Sequence, residues 1–370
     1  MLDSKQSAGN LPAYVLFRRD EAQLRIAGVT LLDRQLAALH RGGCGPITIV
    51  SEEPVQLPPR VQAQGIPVQL ASALPSIQQD CLIVDGNAFI EPDDVVALRT
   101  QAGDLETSKG SRIRALRAPS PALWSVRWDK PEKAHRSKTA ARNLATQEEA
   151  KRLGQILLKT TSSSSDGLVD RVLNRPLSRH LTSRLLETNV PPNLISLISI
   201  GTGLLGALLL ALPRPGFAIV GALLFQLSAI IDCTDGDLAR LHLKESLFGK
   251  WLDIVGDQIV HIAIFVGIGF GLINAAPSLT IVLLTGSAVV GAILAFATFL
   301  WVGKRAGGDP RVERLFQITA NRDFSIIVLS LAFLGRLDIF AWLVGIGIHL
   351  YWITLLVMSL RTPAGREATP

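Results

Sequence analysis

From Asn193 onward the chain consists mostly of Leu, Ile, Val, Ala, Gly and Phe, gathered into long apolar runs. No other feature constrains the fold as strongly. A run of this length suits a bilayer as a helix, which closes its backbone hydrogen bonds within the segment. Six runs can be read: Asn193–Leu212, Phe217–Ile231, Ile254–Ile273, Leu279–Val302, Phe324–Leu334 and Ile339–Leu360. A full span needs about 20 residues. The second and third runs reach that length only if helix continues through their polar ends. The fifth does so only if it begins near Asn321 and runs into Gly335. The sequence thus predicts six transmembrane helices, forming a polytopic domain over residues 190–362.

Up to about Ser165 the chain is polar and mixed, so the mean hydropathy of +0.33 averages two unlike halves. A length of 370 residues has room for both as domains. Residues 1–160 form the first and 161–167, with Ser162-Ser163-Ser164-Ser165-Asp166-Gly167, a flexible linker. Residues 168–189 come next. There Leu168, Val172, Leu181, Leu185 and Leu186 alternate with Asp170, Arg171, Arg175, Arg179 and Arg184. This amphipathic pattern with a basic face predicts a juxtamembrane helix lying in the lipid interface.

Lys and Arg placement orients the spans. Arg240, Lys244 and Lys250 lie between runs two and three. Lys304, Arg305, Arg311, Arg314 and Arg322 lie between four and five, and Arg361 and Arg366 follow six. The opposite loops hold only Arg214 and Arg336. The positive-inside rule then assigns the first domain, the loop after run two and the C-terminus to the cytoplasmic side of an inner membrane. The start, Met1-Leu2-Asp3-Ser4-Lys5-Gln6, has no apolar h-region, which agrees. The net charge of +6 suits an anionic bilayer surface or phosphate-bearing ligands. It does not indicate nucleic acid, because no basic stripe with interleaved aromatics occurs. Cys44, Cys81 and Cys233 lack metal-type spacing and read as free thiols.

Between runs two and three the chain reads Asp232-Cys233-Thr234-Asp235-Gly236-Asp237-Leu238-Ala239-Arg240, then eight residues, then Gly249-Lys250-Trp251-Leu252-Asp253-Ile254-Val255-Gly256-Asp257. Asp232 and Asp235 stand at i, i+3, and Asp253 and Asp257 at i, i+4, so on helices each pair shares a face. Unpaired carboxylates near hydrocarbon are costly, so a cluster there implies bound cations. Oxygen donors suit Mg²⁺ or Mn²⁺, which suit phosphate substrates. The plain alternative is a set of surface acids balanced by Arg240, Lys244 and Lys250.

This segment resembles the signature of the CDP-alcohol phosphotransferase family: D, two residues, D-G, two residues, A-R, eight residues, G, three residues, D, three residues, D. Every fixed position is filled, and the resemblance covers roughly the C-terminal half of the chain. It implies a phospho-alcohol moved from a CDP-alcohol donor to an acceptor hydroxyl, with release of CMP and help from two divalent metal ions. Asp232, Asp235, Asp253 and Asp257 are then metal ligands, Asp253 and Asp257 carrying the catalytic roles. Asp257 either completes the second metal or acts as general base. Gly236, Ala239, Arg240, Gly249 and Asn193 are implied to bind the CDP portion, Arg240 holding the diphosphate. The family is commonly homodimeric.

In the first half, Ala13–Phe17, Ile47–Val50, Val68–Leu70 and Leu82–Val84 read as strands, with a helix pattern over Leu31–His40 ended by Gly42-Gly43. The alternation predicts an α/β sheet. Ile26 to Gln35, Pro46 to Val50 and Cys81-Leu82-Ile83-Val84-Asp85-Gly86-Asn87 together look like a sugar-phosphate nucleotidyltransferase domain. Asp85 would be its vestigial metal ligand. The loop Phe17-Arg18-Arg19-Asp20-Glu21 lacks the glycines that let backbone amides cradle phosphate, and Asn87 replaces the second acid. A degenerate domain is expected.

The nucleotidyltransferase-like domain, Asn174-Arg175-Pro176-Leu177-Ser178 and Pro192-Asn193 look like the branch containing di-myo-inositol-phosphate-phosphate synthases. That resemblance implies CDP-inositol as donor and an inositol phosphate as acceptor, with Arg311, Arg314 and Arg322 on the acceptor's phosphate. Two alternatives stay open. One is a phospholipid synthase using CDP-diacylglycerol and a polyol or polyol phosphate. The other is a non-catalytic membrane scaffold.

Overall fold

The computed structural model describes residues 11–18, 24–75, 79–100, 103–120, 134–161, 167–305 and 324–361. It divides into two compact units, Met1–Thr160 with Leu241–Leu243, and Thr161–Arg240 with Lys244–Pro370.

The first unit is an α/β domain. Its elements begin with β1 (Leu11–Leu16), β2 (Arg25–Ile26), β3 (Val29–Thr30), α1 (Leu31–Arg41), β4 (Cys44–Val50), α2 (Pro59–Ala63), β5 (Val68–Ala71) and β6 (Cys81–Asp85). There follow β7 (Ala88–Phe89), α3 (Pro92–Thr100), β8 (Asp104–Glu106), β9 (Arg112–Ala118), β10 (Ala134–Arg136), β11 (Arg142–Asn143) and α4 (Gln147–Thr160). Seven strands form one sheet in the order β10-β8-β9-β6-β1-β4-β5. β1 pairs in parallel with β4 and β6, whereas β9 runs antiparallel to both β6 and β8. Of the strands read from the sequence, β1, β4 and β6 occupy its middle, where both faces are buried, and β5 lies at one edge. Alternate residues accordingly enter different clusters: Ala13, Val15, Leu82 and Val84 join one, Tyr14, Cys81 and Ile83 the other. α1 starts where Thr30 caps it, its hydroxyl accepting from the Asp33 amide at 3.1 Å. The strands from β7 onward carried no apolar run long enough to be noticed in the sequence.

The second unit is helical. A π-helical turn, Asp170–Asn174, leads into α5 (Arg175–Leu185). Then come α6 (Pro192–Leu210), α7 (Pro215–Leu241), α8 (Leu247–Ala275), α9 (Leu279–Arg305), α10 (Phe324–Phe333) and α11 (Leu337–Arg361). Among the described residues five helices are long and apolar enough to cross a membrane: α6, α7, α8, α9 and α11. The sixth expected span, α10, has ten described residues. The core gathers Phe225 from α7, Ile264 and Ile268 from α8, Ala288 and Ala292 from α9, and Val328 from α10. α6 and α8 lie close because Gly267 has no side chain: a Cβ there would collide with the carbonyl of Ala207. Large apolar residues, Leu208, Leu283 and Leu350 among them, cover the outer faces.

The juxtamembrane segment differs in one respect from its sequence reading. Leu168 and Val172 point outward, 76% and 72% exposed, while Asn174, Arg175, Ser178 and Thr182 are buried. Arg175 therefore does not belong to an outward basic face. Burying a guanidinium is tolerable only with a charged partner, and Asp237 supplies one: Arg175 Nη1 donates to its Oδ1 at 2.6 Å.

Candidate functional site

The signature segment runs off the end of α7 and onto the start of α8. Helix α7 continues through Asp232, Asp235, Gly236, Asp237 and Arg240 without a break, which is why its length exceeds its apolar run. Helix α8 starts at a defined point because Ser246 caps it, accepting from the Gly249 amide at 3.0 Å. Asp253 and Asp257 then follow about two and about three turns after that cap.

This arrangement brings Asp232, Asp235 and Asp253 together, with one carboxylate oxygen from each lying within 4.8 Å of the others. Asp235 is buried and receives a hydrogen bond at Oδ2 from the Ser196 hydroxyl of α6. Three converging oxygen donors, one of them oriented by a neighbouring hydroxyl, fit a hard divalent cation. Asp257 stands outside this group of three, but it lines the same cavity.

That cavity has a volume of about 710 Å³. Its lining combines polar residues, Asp170, Arg175, Asp232, Asp235, Arg240 and Asp253, with apolar and aromatic ones, Phe265, Phe296, Phe299, Phe324, Phe340 and Leu343. His261 lies along the wall and on the same face of α8 as Asp257, one turn further on. Its ring meets Phe225 and Phe324 edge-on, at centroid distances of 6.4 and 4.9 Å. Its Nε2 is buried and has no hydrogen-bond partner among the described residues.

Arg240 reaches back along its own helix, donating from Nη2 to Asp237 Oδ1 at 2.9 Å. In doing so it crosses Gly236, where a Cβ would lie 3.3 Å from Nη2. Asn193 and Gly249 adjoin: a Cβ on Gly249 would sit 3.0 Å from the Asn193 Oδ1. Asn193, Ala239 and Gly249 do not line the cavity. Arg311, Arg314 and Arg322 lie outside the described residues.

Reading the sequence did not pick out Ser196, Asp237 or His261, or Arg175 as a site residue. A periodicity signal existed for two of them, since Ser196 follows Asn193 by one helical turn and His261 follows Asp257 by one. Asp237 fills a variable position of the signature. Nothing local marked it.

In the first unit Asp85, at the end of β6, is buried and ion-paired with Arg114 of β9, Nη1 to Oδ2 at 3.0 Å. Among the described residues it belongs to no cluster of three or more acids, histidines or cysteines. A guanidinium thus occupies one side of the carboxylate expected to face a metal.

Residues 189–358 match the family model described as CDP-alcohol phosphatidyltransferase. The bifunctional IPC transferase and DIPP synthase of Thermococcus kodakarensis is 35% identical over 132 residues, covering 35% of this chain and 29% of that protein. The chain therefore spans less than a third of that relative's length. The phosphatidylinositol phosphate synthase of Corynebacterium glutamicum is 28% identical over 194 residues, covering 50% of this chain and 84% of that one. Among solved structures, the Mycobacterium tuberculosis phosphatidylinositol phosphate synthase with CDP-DAG bound aligns at a TM-score of 0.38 and 20% identity, covering 53% of this chain and 99% of that one. Signature, carboxylate cluster and matched span all fall in the helical unit, whose residues 189–358 carry the match to the CDP-alcohol phosphatidyltransferase family model.

Proposed function

We propose that this chain is an integral-membrane transferase that moves a phospho-alcohol from a CDP-alcohol to an acceptor hydroxyl and releases CMP. One observation carries the reading: three carboxylates converge within 4.8 Å beside a cavity that also holds Arg240. Asp232, Asp235 and Asp253 would hold Mg²⁺ or Mn²⁺. Bound there, divalent cations supply charge neutralisation for a diphosphate undergoing in-line displacement. Arg240 binds the diphosphate oxygens, and Gly236 leaves room for its guanidinium to lie against the helix. Asp257 faces the same space and takes the proton of the incoming hydroxyl. Ser196 holds the Asp235 carboxylate in place.

Two donors compete. CDP-inositol with an inositol phosphate acceptor is supported by the relatives named IPC transferase and DIPP synthase. CDP-diacylglycerol with a polyol or polyol phosphate is supported by the phenylalanines in the cavity lining, which suit acyl chains. On that support we place the lipid donor ahead of CDP-inositol. In both readings the signature faces the cytoplasm, a sixth span includes α10, and the exposed Leu168 and Val172 rest in the lipid interface. Two copies associate through their membrane helices. The first unit makes no CDP-alcohol and serves in support or docking, its Asp85 engaged by Arg114.

The test is CMP release by purified protein in Mg²⁺ or Mn²⁺, with CDP-diacylglycerol and CDP-inositol as donors and inositol, inositol phosphate and other polyols as acceptors. Turnover with CDP-diacylglycerol alone supports the lipid reading, and turnover with CDP-inositol alone supports the other. No CMP from any pair, with folded protein, refutes transferase function.

A further inference from the structure

We propose that Arg175, from the juxtamembrane helix, is a second guanidinium for the donor's diphosphate, and that Asp237 is the positioning residue that holds it beside Arg240. The inference rests on the CDP-alcohol reading above and extends it to residues outside the family signature.

Arg175 and Arg240 come from different elements yet donate to one oxygen, Asp237 Oδ1, at 2.6 and 2.9 Å. Both arginines line the cavity that contains Asp232, Asp235 and Asp253, so their guanidiniums stand where a diphosphate would be held beside those carboxylates. Arg240 also keeps a buried Nε without a hydrogen-bond partner among the described residues. Asp237 is fully buried, and its Oδ2 likewise has no partner there.

A buried ion pair is weak support for stability, because desolvation offsets most of the attraction. A pair retained next to a polar cavity is better explained by a ligand. Paired guanidiniums match a diphosphate, since each presents a planar fork to neighbouring phosphate oxygens.

The surrounding structure fixes Arg175 from behind. Its neighbour Asn174 accepts at Oδ1 from Gln226 of α7 at 2.6 Å and donates to Asp170 Oδ1 at 2.8 Å. Gln226 in turn accepts from the Ser325 hydroxyl of α10 at 2.8 Å. The start of α5 is thereby tied to two membrane helices by buried polar contacts, which a helix resting only on lipid would not need. These contacts set where Arg175 begins. Asp237 sets where it ends.

The experiment compares wild type with Arg175→Gln, Arg175→Lys, Asp237→Asn and Gln226→Leu, as full chains in detergent with Mg²⁺. Binding of CDP and of cytidine, which lacks the diphosphate, is measured by calorimetry alongside thermal unfolding. Arg175→Gln is expected to weaken CDP roughly tenfold or more and to leave cytidine nearly unchanged, from the usual strength of a charged hydrogen bond. Arg175→Lys recovers part of the loss, and Asp237→Asn weakens CDP in the same selective way. Gln226→Leu, which loosens the docking without removing a charge, lowers the unfolding temperature and changes CDP and cytidine binding alike. If Arg175→Gln binds CDP as wild type does, or loses CDP and cytidine equally, the inference is wrong while the transferase reading stands. Wild-type protein that binds no CDP in Mg²⁺ overturns both.

Discussion

At the scale of single residues, the carboxylate cluster depends on side chains that hold one another. Replacing Asp235 by Asn keeps its volume and its bond to Ser196 but removes the charge. CMP release is expected to fall at least about a hundredfold with the unfolding temperature little changed; an active Asp235→Asn protein would rule out a metal-binding role for this residue. Ser196→Ala should act more mildly, raising the Mn²⁺ concentration for half-maximal activity about 10- to 100-fold, as loss of an orienting contact usually does. The cysteines give an independent check on burial. Burial pushes the Cys44 thiol up to about 11 and the Cys81 thiol up to about 12. Alkylation requires thiolate, so raised values mean slower reaction at neutral pH. Cys233 is half-buried and lines the cavity. Iodoacetamide at pH 7.5 should label Cys233 first in the folded protein, with Cys44 and Cys81 labelled only after denaturation; mass spectrometry of the labelled peptides settles the order.

At the scale of elements, the close pairing of α6 and α8 decides whether the two arms of the signature meet. Gly267 sits at one of the close approaches of those helices, next to the Ala207 carbonyl. Gly267→Val would push α8 from α6, and with it Asp253 from Asp235. The expected outcome is loss of both thermal stability and transfer. A Gly267→Val protein with wild-type stability would show that this contact does not set the helix spacing. The capped start of α8 has a smaller role. Removing the Ser246 hydroxyl costs about 1 kcal/mol, as loss of an N-cap usually does, and frays the turn that carries Gly249.

At the scale of the whole molecule, the two units carry different expectations. The first is built on a seven-stranded sheet, and Arg114 rather than a second acid accompanies Asp85. The full chain, given CTP, Mg²⁺ and inositol phosphate, should therefore release no pyrophosphate above background. Release that vanishes in Asp85→Ala would make the protein bifunctional. For the membrane unit, charge reversal at Arg322 is expected to raise the KM for a phosphorylated acceptor and leave donor binding nearly intact. Equal effects on both substrates, or on neither, would reduce the basic segment to a topology determinant.

What the sequence determined by itself was whatever depends on spacing along one element. Long apolar runs imply spanning helices, because a bilayer satisfies no backbone polar group. The i, i+3 and i, i+4 placement of Asp232, Asp235, Asp253 and Asp257 implies shared faces, because helix geometry is local. The central strands of the first unit were legible for the same reason: each is a short apolar run bounded by turns. The tertiary structure decided what depends on distance between elements. It joins Ser196 of α6 to Asp235 of α7, and turns Arg175 inward onto Asp237, a contact 62 positions away in the chain. It also sets His261 against phenylalanines from two other helices, Phe225 of α7 and Phe324 of α10. No local pattern encodes such meetings. They follow from which helix faces can approach and from the need of every buried charge for a partner.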